Sequence, residues 1–318
     1  MRLAIFAPKY SDVVAAAVRE AFAGDLVVCK NVRACTDALG SADILFINGA
    51  LYDDPVAEAV RRSPTLRWIQ FLSSGTDAVA RHGGLPAQVM LTNAAPAFGP
   101  IVAEHAMALA LALVRAIPAL EGAKCKSAWA HDAVAGKLSS FDGACVVILG
   151  FGAIGREIAA RATAFGADCI AVRRRRVADE ATMPGVTFAE LDASLPRADI
   201  LFVAIPLTAE TKALIDRRRL ALLRPHAKLI NVARSAVVDT NALIEALRNG
   251  SIESAALDVF DDEPLPPASE LWRLPNLVIS PHIAGRGSPR VAERMIALCL
   301  RNLRRFHAGT LQVAADVG

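Results

Sequence analysis

Cys145-Val-Val-Ile-Leu-Gly-Phe-Gly-Ala-Ile-Gly-Arg156 decides the fold: five residues of strand character, three glycines spaced G-x-G-x-x-G, then the helical stretch Arg156–Phe165. Gly150 suits a tight turn, Gly152 lets the backbone approach a pyrophosphate, and Gly155 lets the helix pack closely on the strand. The free N–H groups and positive dipole end of that helix then face the phosphates. A chain with 20 glycines in 318 residues produces the bare spacing by chance about 0.08 times, so the strand before and the helix after carry the reading.

Outward from this segment, short β-type runs alternate with helical stretches: Leu3–Ala7, Leu26–Cys29, Ile44–Ile47, Trp68–Phe71 and Val89–Thr92 before it, and Cys169–Val172, Ile200–Ala204, Leu229–Val232, Ser254–Leu257 and Leu277–Ser280 after it. Such alternation specifies parallel sheets covered on both faces, and there are strands enough for two. A break is expected at Asn93–Pro100, rich in Pro and Gly, before an apolar helical run from Ile101 to about Ala116. A second falls at Gly285–Pro289, before the amphipathic stretch Val291–His307. No internal repeat is read.

Length alone favours two domains. Apolar residues make up 54% and charged residues 21%, which supplies ample core and excludes disorder. The net charge of +3 is spread along the chain, so neither nucleic acid nor membrane is expected as a partner. Six cysteines show no C-x-x-C pair and mostly lie in apolar runs, as expected of reduced thiols in a cytoplasmic protein. The run Ile101–Val114 carries Glu104 and His105, and no targeting or membrane-spanning segment is read. No His/Cys/Asp cluster has metal-ligand spacing.

The end of the strand after the glycine motif discriminates between dinucleotides. A carboxylate there accepts from a ribose 2′-hydroxyl, and an Arg favours a 2′-phosphate. Here Asp168–Val172 is followed by Arg173-Arg-Arg-Arg176 and no acid. A guanidinium fork suits a phosphate, so Arg173 and Arg174 point to NADP(H) as the preferred cofactor, with NAD(H) the alternative. Three further strands end in polar residues: Asn231-Val-Ala-Arg234, Leu257-Asp-Val-Phe-Asp-Asp-Glu-Pro264 and Ser280-Pro-His-Ile-Ala-Gly285. Ligands of open α/β sheets bind at such carboxyl ends, which gathers Arg234, Asp258, Glu263 and His282.

The order of these segments, with Pro206-Leu-Thr-Ala-Glu-Thr211, Ser73-Ser-Gly-Thr-Asp77 and Val102-Ala-Glu-His-Ala-Met-Ala-Leu-Ala110, closely resembles the D-isomer-specific 2-hydroxyacid dehydrogenases over nearly the whole chain. The resemblance implies a Rossmann cofactor domain, 99–286, inserted in a flavodoxin-like substrate (lid) domain made of 1–98 and 287–318, with the active site in the cleft and a homodimer built through the cofactor domains. It assigns catalysis to Arg234, Glu263 and His282. Arg234 would grip the substrate carboxylate and polarise the keto oxygen, His282 would exchange the proton, and Glu263 would orient the imidazole. Ser74 and Gly75 would add backbone N–H groups to the carboxylate. Cofactor contacts fall to Gly150, Gly152, Ala153, Ile154, Gly155, Pro206, Val232, Ala233, Asp258, Ala284 and Gly285, with Asp258 on the nicotinamide carboxamide.

The implied reaction moves a hydride between NADP(H) and a small 2-oxo acid or D-2-hydroxy acid, with glyoxylate or hydroxypyruvate favoured. Ser235 stands where the family usually has glycine, and Glu263 where formate dehydrogenases have Gln. The alternative is an NAD(H)-sensing scaffold or corepressor-like protein on the same fold. The other five histidines, His105 among them, read as structural or exposed.

Overall fold

A computed structural model describes residues 1–8, 10–173 and 183–311. Arg174 lies outside them. The strands are β1 (Arg2–Phe6), β2 (Asp25–Val28), β3 (Ile44–Ile47), β4 (Trp68–Phe71), β5 (Met90–Thr92), β6 (Cys145–Leu149), β7 (Asp168–Val172), β8 (Val186–Phe188), β9 (Ile200–Val203), β10 (Lys228–Asn231), β11 (Ser254–Leu257) and β12 (Leu277–Ile279). The chain divides into two compact units, Met1–Phe98 joined by the chain from Gly287 onward, and Gly99–Arg286.

The first unit holds a five-stranded sheet in the order β2-β1-β3-β4-β5, parallel throughout. That is the flavodoxin-like order. β3 and β4 are buried at every residue, as strands covered on both faces must be. The helix Arg290–His307 completes this unit. Its apolar stripe of Val291, Met295, Leu298, Cys299, Leu303 and Phe306 is buried, and Phe306 stacks on Trp68 with centroids 5.2 Å apart. Asn302 Nδ2 donates to the buried Gln70 Oε1 at 2.9 Å, beside Thr92 Oγ1 at 2.7 Å, and Trp68 Nε1 donates to Thr92 at 2.8 Å.

The second unit holds seven parallel strands in the order β12-β11-β10-β9-β6-β7-β8. Counted from its own first strand this is the Rossmann order with one strand added. The strand order reverses between β6 and β9, the switch point where such sheets bind ligands. The helix Thr240–Arg248 starts from a side-chain cap, Asp239 accepting from Ala242 N at 3.0 Å. The fold class read from the sequence is the one observed.

The structure departs from the sequence reading in three places. The division between the units falls inside the segment Asn93–Pro100, between Phe98 and Gly99, but the helix expected from Ile101 already begins at Ala95. Asn93 Oδ1 accepts from Ala95 N at 3.1 Å, Pro96 sits in the first turn where its missing N–H costs nothing, and Pro100 is carried within the helix. This helix is long and apolar enough to span a bilayer by composition, with mean hydropathy 1.7, yet 56% of that window is buried inside the protein. The three-residue β8 was not anticipated. All six cysteines are free; Cys125 is exposed, against the expectation of burial, and Cys145 is half-buried.

Candidate active site

The motif at the switch point has the geometry its glycines imply. Gly150 lies at φ +101, and a Cβ there would come within 2.5 Å of Ala204 O, at the end of β9. A Cβ on Gly155 would overlap the Gly150 carbonyl, so helix and strand approach as closely as backbone allows. Gly152 is the N-cap of the helix Ala153–Ala164, and no side chain caps it. The first-turn N–H groups of Ala153 and Ile154 thus belong to an uncapped helix end. Pro206 is exposed just past β9. This cradle fits a pyrophosphate.

Past β7, Arg173 lays its guanidinium over the Phe188 ring with Cζ 4.9 Å from the centroid. Phe188 meets Phe151 of the glycine motif edge-on at 5.2 Å, and the Arg156 guanidinium lies 4.8 Å from the Phe151 centroid. Two cations are therefore braced on two aromatic rings beside the phosphate turn. Stacking fixes the plane of a guanidinium while leaving its edges to donate.

The polar strand ends follow one another along the same sheet edge, because β10, β11 and β12 are parallel neighbours. Asn231, the last residue of β10, accepts from Ala233 N at 3.0 Å and donates to Arg234 O at 3.1 Å, which ties down the loop through Val232 and Ala233. Arg234 is half-buried, and its Nη1 donates to Ala233 O at 2.7 Å. Glu263 accepts from Phe260 N at 3.0 Å with Oε1 and from His282 Nδ1 at 2.6 Å with Oε2. One carboxylate thereby anchors to its own loop and orients the imidazole. The His282 side chain is 48% exposed, so Nε2 is the ring atom left to meet a ligand.

His282 itself has φ +52, a left-handed conformation that a non-glycine residue keeps only when its surroundings enforce it. Asp258 is 1% exposed. It accepts from Ile283 N and Ala284 N at 3.0 Å each and from Ser280 Oγ at 2.5 Å. Three donors around one buried carboxylate thus hold the loop on which His282 and Gly285 lie. Ser74 and Gly75 follow β4 in the other unit, both half-buried. One member of this constellation escaped the sequence reading. His105 Nε2 lies 2.8 Å from Ser280 Oγ and 3.5 Å from Asp258 Oδ1. A polar residue in so apolar a helix was the available signal, but the partner is 175 residues away.

A Rossmann sheet with a phosphate turn at its switch point and a carboxylate-oriented imidazole at a strand end defines a dinucleotide-dependent oxidoreductase. Residues 107–284 match the family described as D-isomer specific 2-hydroxyacid dehydrogenase, NAD binding domain. A glyoxylate reductase of Pyrococcus furiosus is 34% identical over 259 residues, covering 80% of this chain and 76% of that protein. Among solved structures, a D-isomer specific 2-hydroxyacid dehydrogenase of Xanthobacter autotrophicus Py2, in complex with NADPH and MES, superposes with a TM-score of 0.80 at 28% identity, covering 100% of this chain and 98% of that one. An NADPH-dependent glyoxylate/hydroxypyruvate reductase of Sinorhizobium meliloti, in complex with NADP and malonate, gives 0.75 at 28% identity, covering 99% and 97%. The chain belongs to the D-isomer specific 2-hydroxyacid dehydrogenase family and is an NAD(P)-dependent oxidoreductase.

Proposed function

We propose that this protein reduces small 2-oxo acids to D-2-hydroxy acids, with NADPH preferred to NADH and with glyoxylate or hydroxypyruvate as substrate. The observation that carries the reading is the Glu263–His282 pair at 2.6 Å, one strand end away from Arg234. The dinucleotide, when bound, supplies the hydride in reduction and takes it back in oxidation. Gly150, Gly152, Ala153, Ile154 and Gly155 would hold its pyrophosphate. Pro206, Val232, Ala233, Asp258, Ala284 and Gly285 would line the nicotinamide end, with Asp258 acting chiefly through the loop it holds.

The chain's own groups account for the rest. The Arg234 fork would grip the substrate carboxylate bidentately and draw electron density toward the keto oxygen. Ser74 and Gly75, just past β4, would be the first unit's own backbone N–H donors for a substrate carboxylate. His282 Nε2 would deliver a proton to that oxygen, and the Glu263 carboxylate would stabilise the imidazolium that precedes delivery. With Nδ1 held by Glu263, one tautomer and one ring orientation serve both directions.

The cofactor preference rests on Arg173, together with Arg174, in the position where NAD enzymes place an acid. The two structural relatives bound to NADPH or NADP support it. Four of the nine large apolar side chains exposed among the described residues fall between Ile117 and Leu138, with Trp129 94% exposed, which supports a homodimer. The free cysteines support a cytoplasmic setting.

A panel of 2-oxo acids assayed with NADPH and NADH in parallel tests substrate and cofactor together. Arg173→Asp combined with Arg174→Ala is expected to raise the apparent KM for NADPH far more than that for NADH, and equal effects would refute the preference. His282→Ala should lower kcat by roughly 10²–10⁴-fold while leaving the dinucleotide Kd near wild type.

A further inference from the structure

The loop bearing His282 is held from beneath by a chain of hydrogen bonds whose far end is a second histidine. Ser280 is 6% exposed and its hydroxyl has one proton. At 2.5 Å from Asp258 Oδ1, that proton is directed to the carboxylate, which accepts only. A lone pair of Ser280 Oγ therefore faces His105 Nε2 at 2.8 Å, and the N–H of that nitrogen donates to it. The order is His105 Nε2–H to Ser280 Oγ–H to Asp258. The same carboxylate takes the backbone N–H groups of Ile283 and Ala284, the two residues that follow His282.

His105 reaches this point from the helix Ala95–Val114, one of whose buried faces carries Ala106, Met107 and Ala110. Its ring also lies 3.5 Å from Asp258 Oδ1. A buried negative charge is costly unless donors and a cation-capable group surround it, and His105 supplies the outermost of these. Without it, Ser280 Oγ loses the donor that polarises its O–H toward Asp258, and hydrogen bonds in series strengthen one another. The grip of Asp258 on Ile283 and Ala284 then slackens, and with it the support that keeps His282 at φ +52 from its C-terminal side, beside Glu263 on the ring and Ser280 O on the His282 N–H.

We infer that His105 is a positioning residue for His282, acting through Ser280 and Asp258. It touches neither substrate nor cofactor; it fixes the left-handed backbone that aims the imidazole. The inference rests on His282 being the proton-exchanging group, and the experiment separates the two. His105→Leu, His105→Gln, Ser280→Ala and the double variant His105→Leu/Ser280→Ala are compared with wild type. In the unliganded protein, amide hydrogen exchange at Ile283 and Ala284 is followed; in the holoenzyme, kcat and KM for glyoxylate with NADPH are measured.

His105→Leu and Ser280→Ala should each speed exchange at those two amides by about tenfold or more, with the amides of β6 and β7 unchanged. Each should lower kcat by about tenfold with KM moving less than about threefold, the signature of a misaimed group rather than a lost binding contact. The double variant should be no worse than either single one, because members of one relay are not additive. His105→Gln, whose amide N–H can still donate to Ser280, should recover exchange and kcat to within about threefold of wild type. Unchanged exchange at Ile283 and Ala284, additive losses in the double variant, or a His105→Gln as impaired as His105→Leu would overturn the relay. Should His105→Leu fail to fold, Ser280→Ala decides on exchange alone. A wild-type protein that turns over no 2-oxo acid would sink the functional reading instead, with the exchange data still deciding the relay.

Discussion

Asp43-Ile-Leu-Phe-Ile47 in the first unit and Asp199-Ile-Leu-Phe-Val203 in the second are nearly the same words, and they do the same work. β3 and β9 each lie beside the first strand of their own sheet, β1 and β6. In each case the aspartate just before the strand accepts the N–H of that first strand's opening residue: Arg2 N at 2.7 Å on Asp43, Cys145 N at 2.8 Å on Asp199. The two frames part at the next turn. β1 runs through Ala7 and Pro8 to a helix that starts at Ser11, whereas β6 runs into Gly150 at φ +101 and a helix N-capped by Gly152. One frame therefore serves both sheets, and the proposed ligand chemistry falls to a three-residue turn and to the strand ends beyond it.

Spoiling the turn while keeping the frame has the largest expected effect. Gly150→Val forces a β-branched residue into positive φ and drives its Cβ toward Ala204 O. The expected result, read by titrating NADPH against cofactor fluorescence, is a Kd weakened on the order of 100-fold or more, since the backbone can no longer present its N–H groups to the pyrophosphate. A Kd within threefold of wild type would mean that the two turns do not differ in function and that the binding site has been placed wrongly.

Much of this was legible in the chain because the signals are local. Strand, turn glycines and helix at 145–165 read directly, and strand alternation implied both parallel sheets. Arg234, Glu263 and His282 were gathered by the rule that ligands sit at strand ends, a rule that needs no distances. What stayed hidden is non-local or below the length at which a pattern stands out. β8 is three residues long. The helix at Ala95 was masked because a Pro in a first turn looks the same in sequence as a Pro that ends a segment. The matched Asp-Ile-Leu-Phe words are four residues long, too short to register as a repeat. His105 read as a structural histidine because its partner is on a strand end that only the folded sheet brings near. The loop-holding role of Asp258 was likewise invisible, since backbone donors leave no mark in the residue pattern.

In the first unit the fully buried Gln70 gathers Thr92 and Asn302 on one amide oxygen and donates to Phe71 O at 2.8 Å, which fastens the helix Arg290–His307 to β4. Gln70→Leu would preserve volume while leaving the Thr92 hydroxyl and the Asn302 amide buried without that acceptor. Each such orphan costs about 1–3 kcal/mol. Chemical denaturation should show a loss of about 2–6 kcal/mol in total, with dinucleotide affinity retained, since Gln70 belongs to the unit without the glycine turn. A loss of affinity equal to that of Gly150→Val would erase the division of labour drawn above.

The smallest expected effect tests the shared frame itself. Burial works against the charge of Asp199, but the Cys145 N–H, the His226 ring and the Arg224 guanidinium outweigh it and hold the carboxyl below its ordinary range. A lowered folded-state value means that the ionised group stabilises the fold above the unfolded value near 3.9, and that this contribution fades as pH falls through the folded value. Asp199→Asn should therefore cost about 1 kcal/mol at neutral pH, allowing for solvent screening of a carboxylate that is a quarter exposed. Below about pH 4 the difference from wild type should shrink. Asp43→Asn removes the charge from the matching position and weakens the matching bond to Arg2 N. If the two frames are equivalent, urea melts at neutral pH should show similar losses for both variants. An Asp43→Asn that costs nothing would show that the shared words hold only the second sheet together, and that the first closes on its apolar strands alone.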